Sequence, residues 1–226
     1  MKVVIVVPVF NESPVIYKVL KSIPKKINET SLVDVVVVND GSGDDTLSEV
    51  QRAGFVIVNH AINRGLGAAI KTGMEYARKK RADIVVTFDG DGQHEPSDIE
   101  KIILPIIQKK ADLVIGSRFK KSKNVPLDRF FLNWFANFIT LLLYGVVTTD
   151  SQSGLRTFSK KALNVVDFKG ERMDFSSEIL LEAKRNNLKI AEVPIKAIYT
   201  EYSRKKGQKN LNAIPTFSRF LVRLLR

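Results

Sequence analysis

Short runs rich in β-branched residues alternate with stretches of helical period along the first half of this chain. That alternation restricts the fold more than any other feature. The runs are Val3 to Val7, Val33 to Val38, Phe55 to Val58, Ile84 to Phe88 and Leu113 to Ile115. Their length and composition suit strands buried on both faces. Between them, Val15, Val19, Leu20 and Ile23 recur at helical spacing, as do Leu66, Ala69, Ile70, Gly73 and Ala77, and Ile99, Ile102, Ile103 and Ile106. Strand and helix in strict turn predict the α/β class, with a mostly parallel sheet flanked by helices. Pro8 is expected to close the first run, which is too short for a signal peptide. Further on, Phe175 to Ala183 reads as a helix. Ile190 to Tyr199 reads as a strand in which Pro194 marks an edge or bulge. At 226 residues the chain can bury a core without a staple, and it reads as one domain over 1–226.

Ligands of such sheets gather beyond the carboxyl ends of the strands. Three segments lie there: Pro8 to Glu12, Asn39 to Thr46 and Asp89 to His94. Asp89-Gly90-Asp91 places two carboxylates on a turn, where hard oxygen ligands suit Mg²⁺ or Mn²⁺ bridging to phosphate, with Gln93 near enough to add a neutral oxygen. The plainer reading is a solvated turn closing a strand. Asp40 is placed to accept from a ribose or base, whereas Asp44 and Asp45 read as helix caps. Glu12 can accept from a base amine or serve a helix first turn. Of the two histidines, His60 reads as structural, and His94 beside the acidic turn reads equally as packing or ligand contact. Ser42 and Ser153 have no histidine partner in a motif, which argues against a serine nucleophile.

The second half differs in character. Thirty-six basic against twenty-four acidic residues give a net charge of +12, which calls for an anionic partner. Arg118, Lys120, Lys121, Lys123 and Arg129 cluster just before Phe130 to Thr149, a run with no charged residue. Arg129, Asn133, Asn137, Thr140 and Tyr144 form one polar stripe along this greasy segment. A lone spanning helix has no use for such a stripe. A helix at an interface does, with its polar side turned to protein. Near the C-terminus Phe217, Phe220, Leu221 and Leu224 oppose Arg219, Arg223 and Arg226, a pattern suited to anionic headgroups. Basic charge flanking apolar surface favours a membrane face over nucleic acid, whose binders interleave basic residues with stacking aromatics. The expected interfacial helices span about 126–147 and 212–226. With no cysteine in the chain, thiolate metal sites and cysteine nucleophiles are excluded.

Taken together, the segments resemble glycosyltransferase family 2, and within it the polyprenyl-phosphate sugar synthases that use dolichyl or undecaprenyl carriers. The resemblance rests on Pro8 to Glu12, Val38 to Ser42, Asn63 to Gly67, Asp89 to His94, Gly116 to Arg118, Asp150 to Arg156 and Glu192 to Pro194, in that order. It implies a Rossmann-like GT-A fold whose first half, 1–117, binds a nucleotide sugar and whose second half, 118–226, faces acceptor and membrane. It places Pro8, Phe10, Glu12, Val38 and Asp40 around the base and ribose, with Asp89 and Gly90 continuing that site. Asp91 and Gln93 would hold the divalent metal on the diphosphate. Arg118 would face phosphates, and Arg129 and Asn133 the acceptor phosphate. Arg204 matches a diphosphate contact, and Lys209 stands one place early for the family's phosphate lysine. Asp150 is either a base, an acceptor-side orienter or the anchor of its own turn.

The chemistry fits without the resemblance. A lipid phosphate is already an anion, so it needs no general base. The reaction needs charge stabilisation on the departing nucleoside diphosphate and alignment of two anions, for which a metal and arginines serve. The expectation is a single displacement inverting the anomeric centre, by a protein held peripherally or monotopically at the cytoplasmic face of a membrane. The Asp89 to His94 and Asp150 to Gly154 segments resemble relatives that use UDP-glucose or UDP-N-acetylglucosamine more than those that use GDP-mannose. Rivals are a relative that extends a saccharide hydroxyl, which needs a carboxylate base, a basic nucleic-acid-binding module, and a catalytically dead nucleotide-sugar sensor.

Overall fold

The computed structural model describes residues 1–27, 31–120, 127–170, 174–199 and 202. Its strands are β1 (Lys2–Val9), β2 (Lys26–Ile27), β3 (Ser31–Asn39), β4 (Val56–Asn59), β5 (Ile84–Thr87), β6 (Leu113–Ser117), β7 (Arg156–Ser159) and β8 (Ile190–Pro194). Its helices are α1 (Ile16–Ser22), α2 (Thr46–Ala53), α3 (Leu66–Lys79), α4 (Asp98–Ile107), α5 (Leu127–Tyr144), α6 (Lys160–Val165) and α7 (Phe175–Arg185).

The strands join in one mixed sheet of order β2-β3-β1-β5-β7-β6-β8, with β4 also on β3. β1 pairs in parallel with β3 and β5, β3 with β4, and β6 with β8, as the alternation predicts. The departures are β2, antiparallel to β3, and β7, which runs antiparallel between β5 and β6. The β1 side chains show why this sequence makes a central strand. Val3, Ile5 and Val7 pack into one apolar layer with α1, α2 and α4, while Val4 and Val6 enter the opposite layer with α3, α6 and α7. All five are fully buried. At about 25 cal/mol per Å² of apolar surface, each adds roughly 1.5–3 kcal/mol, so two-sided burial alone commits this segment to the sheet interior.

Pro8 does not close β1, contrary to expectation. The strand continues to Val9, with Pro8 opposite Val38 of β3. Pairing with β5 ends at Val6 and Thr87. Pro8 faces the β5 side, so its missing N–H falls where the ladder has already stopped. The strand expected over Ile190 to Tyr199 is β8 alone, on the sheet edge, ending at Pro194. Beyond it an isolated bridge joins Ala197 to His94.

α5 covers most of the segment expected at 126–147, and it turns its polar stripe inward. Asn133 and Thr140 are buried, whereas Phe130, Phe131, Trp134, Phe135, Phe138, Leu141 and Leu142 are exposed. No helix among the described residues is long and apolar enough to cross a membrane. The expected helix at 212–226 lies outside the described residues.

Candidate active site

The carboxyl ends of β1, β3, β5 and β6 open on one rim of the sheet, and the antiparallel β7 brings its entry loop, Asp150 to Leu155, to the same rim. The β1 and β3 exits brace each other. Asn11 holds a left-handed backbone at φ 54°. Its amide donates to Ser42 Oγ at 3.0 Å, and its Oδ1 accepts from Gly43 N at 2.9 Å. The Glu12 amide donates to Thr46 Oγ1 at 2.7 Å. Glu12 is buried, and its Oε2 accepts from the Tyr202 hydroxyl at 2.7 Å. Burial and then this bond raise the Tyr202 pKa, keeping the phenol a neutral donor. Phe10 is 40% exposed at the lip, just past the end of β1. Val38 is wholly buried among the α3-side core, paired with Pro8 of β1 and Val58 of β4. Asp44 accepts from Thr46 N at 3.0 Å and Ser13 N at 3.2 Å just before α2, whereas Asp45, at the N-cap position, makes no side-chain capping bond.

Asp40 is buried and organises the next loop. It accepts from Gly65 N at 2.7 Å, Arg64 N at 3.0 Å and His60 Nδ1 at 2.7 Å. His60 Nε2 in turn meets Thr72 Oγ1 at 2.9 Å, so the structural reading of His60 holds. Asp40 thus couples the β3 exit to the turn before α3.

The acidic turn after β5 lies beside these loops. Gly90 has no room for a side chain, since a Cβ there would come within 2.6 Å of Val9 Cγ1. Asp89 Oδ2 meets His94 Nε2 at 3.1 Å, and His94 is buried against Phe88. Sequence reasoning left His94 between packing and ligand contact; here it packs and also grips Asp89. Burial alone would raise the Asp89 pKa. The His94 bond, then the charges of Arg118 and Arg156, instead hold its carboxyl below the usual range. Asp91 goes the other way, pushed up by burial and by the charge of Asp89. Gln93 embraces Asp91, donating its backbone N–H to Oδ1 at 3.0 Å and its side-chain amide to Oδ2.

A divalent cation fits this turn. Asp89 Oδ1 is buried without a hydrogen-bond partner, and two carboxylates whose charges repel lie two positions apart. Among the described residues no group of three or more histidine, cysteine or acidic side chains forms a closed metal cage. An open site completed by ligand oxygens and water is the arrangement hard cations adopt on phosphates.

Arg118 leaves β6 into a fork with Asp150. Nε and Nη2 each donate to its carboxylate at 2.8 Å, and the Arg118 backbone N–H adds a bond at 3.0 Å. Asp150 is fully buried. Burial would lower the Arg118 pKa, but this pairing outweighs it and holds the guanidinium charged. Asp150 thus fixes the position and plane of the Arg118 guanidinium. The next turn of the same loop is held by a residue that sequence reasoning passed over. Arg156 is 1% exposed and donates to the carbonyls of Ser151 at 2.6 Å, Ser153 at 2.9 Å and Ser176 at 2.9 Å. Burial brings its pKa down to about 10, so it remains a cation at neutral pH. Its membership in the Asp150 to Arg156 motif was the available signal. Gly154 completes the fit, because a Cβ there would lie 1.9 Å from Asp89 Oδ2.

Asn133 lies one helical turn after Arg129 and donates to the Thr149 carbonyl at 2.8 Å. Phe130 meets Phe119 with ring centroids 6.3 Å apart, which brings the start of α5 beside Arg118. Arg129 is half-buried there. The structure therefore brings Glu12, Asp40, Asp89, Asp91, Gln93, Arg118, Asp150 and the Arg129 turn to one rim. Arg204 and Lys209 lie outside the described residues.

The acidic turn after β5 and the Arg118–Asp150 fork at the end of β6 thus lie on the same rim of one mixed sheet. The family model for glycosyl transferase family 2 matches residues 4–166, and the chain belongs to that family. The chain is 39% identical to the UDP-N-acetylglucosamine–dolichyl-phosphate N-acetylglucosaminyltransferase of Methanococcus voltae, over 96% of this chain and 94% of that one. It is 26% identical to the undecaprenyl-phosphate mannosyltransferase of Micrococcus luteus, over 91% and 87%. Among solved structures, glucosyl-3-phosphoglycerate synthase from Mycobacterium tuberculosis in complex with Mn²⁺ and UDP-glucose superposes with a TM-score of 0.73 at 19% identity, over 98% of this chain and 76% of that one.

Proposed function

We propose that this glycosyltransferase moves a sugar from a nucleotide donor to a polyprenyl phosphate of the dolichyl type at a membrane face, inverting the anomeric centre. The observation that carries the choice of acceptor is the fate of Asp150. A hydroxyl acceptor needs a carboxylate base, and both oxygens of this carboxylate are engaged by Arg118. A phosphate acceptor needs no base. The names of the relatives, which act on dolichyl and undecaprenyl phosphates, support the same reading. A UDP-sugar is the favoured donor, in keeping with the 39% identical relative.

In this reading Glu12 and Asp40 orient the base and ribose, and Phe10 offers a face for stacking. Asp91 and Gln93, with Asp89 beside them, would hold Mn²⁺ or Mg²⁺. When bound, the cation neutralises charge on the diphosphate that leaves. Arg118 and Arg129 hold the acceptor phosphate in line with the sugar carbon, offsetting the repulsion between the two anions. Asp150 keeps the Arg118 fork in plane, and Asn133 steadies the loop that carries it.

The test is a paired assay of transfer from UDP- and GDP-sugars to dolichyl phosphate and to a saccharide hydroxyl acceptor. Transfer to the lipid phosphate alone is expected, lost on chelation and restored by Mn²⁺ or Mg²⁺. Preference for the hydroxyl acceptor overturns the acceptor, and turnover that survives chelation overturns the metal.

The exposed face of α5 is the proposed contact with the bilayer. Trp134 is the single tryptophan of the chain and is 58% exposed on that face, stacked on Phe138. Its emission should shift to the blue on anionic vesicles. Trp134→Ala should weaken vesicle partitioning roughly tenfold, from the apolar area withdrawn. Emission that ignores vesicles removes α5 from the membrane contact.

A further inference from the structure

Residues 148–151 belong to no strand or helix, yet side chains grip them from two directions. From α5, Asn137 donates through Nδ2 to the Thr149 carbonyl at 2.9 Å and accepts through Oδ1 from the Ser151 N–H at 2.9 Å. One carboxamide thus holds the residues on both sides of Asp150, making the pair of bonds a neighbouring strand would make. Asn133 donates to the same Thr149 carbonyl at 2.8 Å. From β8, Glu192 accepts from Thr148 Oγ1 at 2.6 Å, Thr149 N at 2.7 Å and Thr149 Oγ1 at 2.7 Å. Ser117 Oγ pairs with Thr149 Oγ1 at 2.7 Å.

The suspended segment carries Asp150, and Asp150 holds the guanidinium of Arg118. Asp150 is fully buried, so it cannot swing independently of its backbone. A two-bond fork transmits both position and plane from carboxylate to guanidinium. We infer that Asn137 is a positioning residue for the transfer reaction: it sets Arg118 through the backbone around Asp150, and so registers the phosphate-binding arginine to the seat of α5. This rests on the reading above that Arg118 meets the reacting phosphates. It assigns the inner, polar face of α5 a part in the reaction, separate from the outer face that meets lipid.

The experiment is a double-mutant cycle of Asn137→Ala and Arg118→Lys, read as kcat/KM for dolichyl phosphate alongside the donor KM. Asn137→Ala alone should lower kcat/KM for the lipid phosphate roughly tenfold, the scale of two lost hydrogen bonds, and leave the donor KM unchanged. In the Arg118→Lys background, where the fork is already lost, it should cost less than about twofold more. Additive losses overturn the inference. A second readout needs no turnover: modification of Arg118 by phenylglyoxal, followed by peptide mass mapping, should run several-fold faster in Asn137→Ala. An unchanged labelling rate also overturns it. A wild-type protein inactive on lipid phosphate sinks the functional reading instead, and the labelling still decides whether Asn137 sets Arg118.

Discussion

Asp91→Ala is expected to abolish transfer, by on the order of 10³-fold or more, while the melting temperature stays level or rises. The two halves of that expectation have one cause. The Asp91 carboxyl is pushed above its usual range by burial and by the charge of Asp89, so the folded protein holds two acidic groups that repel. Removing one relieves the repulsion and removes the proposed metal ligand together. Loss of activity with retained or increased stability is the mark of a residue kept for function at the expense of the fold. Transfer of labelled sugar to dolichyl phosphate and a calorimetric scan measure the two quantities. Residual activity above about 1% contradicts the metal role, given what loss of a charge-stabilising group costs. A large drop in melting temperature contradicts the account of the repulsion.

Arg156→Met is expected to do the opposite and strike the fold first. Arg156 is buried and donates to three backbone carbonyls, and its charge faces Asp89 and Asp150. Methionine fills similar volume but leaves those carbonyls unsatisfied and the neighbouring carboxylates short of a cation. The cost should be about 3–5 kcal/mol, or on the order of 10 °C in melting temperature for a chain of this size. Activity should fall with it, because the same loop presents Asp150 to Arg118. Arg156→Lys tests the geometry: one ammonium cannot reach three carbonyls in fork arrangement, so most of the loss should persist. Near-native stability of the methionine variant would show that the loop is held by other means.

What was legible in the sequence is what period and position encode. β1, β3, β5 and β6 announce themselves through β-branched density, and the rim follows because each acidic or amide-rich segment comes directly after one of them. The inward stripe of α5 was legible because Asn133, Asn137, Thr140 and Tyr144 repeat at helical spacing. β7 was not. It has four residues and opens on an arginine, and a charge at the start of a central strand contradicts the buried-strand pattern. Arg156 can occupy that position because carbonyls of its own loop and of Ser176 neutralise it, a long-range arrangement that no local pattern records. α2 and α6 have eight and six residues, and their apolar residues are too few to set a period. Pro8 misled for a related reason. Which side of a strand lacks a partner depends on where its neighbour ends, and that is decided by β5, some eighty positions away.

The antiparallel strand has a consequence for how the gene can be divided. β7 comes from residues 118–226 and lies between β5 and β6, both supplied by residues 1–117. Cutting after Ser117 would not shorten the sheet at its border; it would open a slot through its middle, with two raw edges facing one another. Residues 1–117 therefore cannot be lifted out as a free-standing module. Recombination that exchanges residues 118–226 must carry a matching plug for the slot.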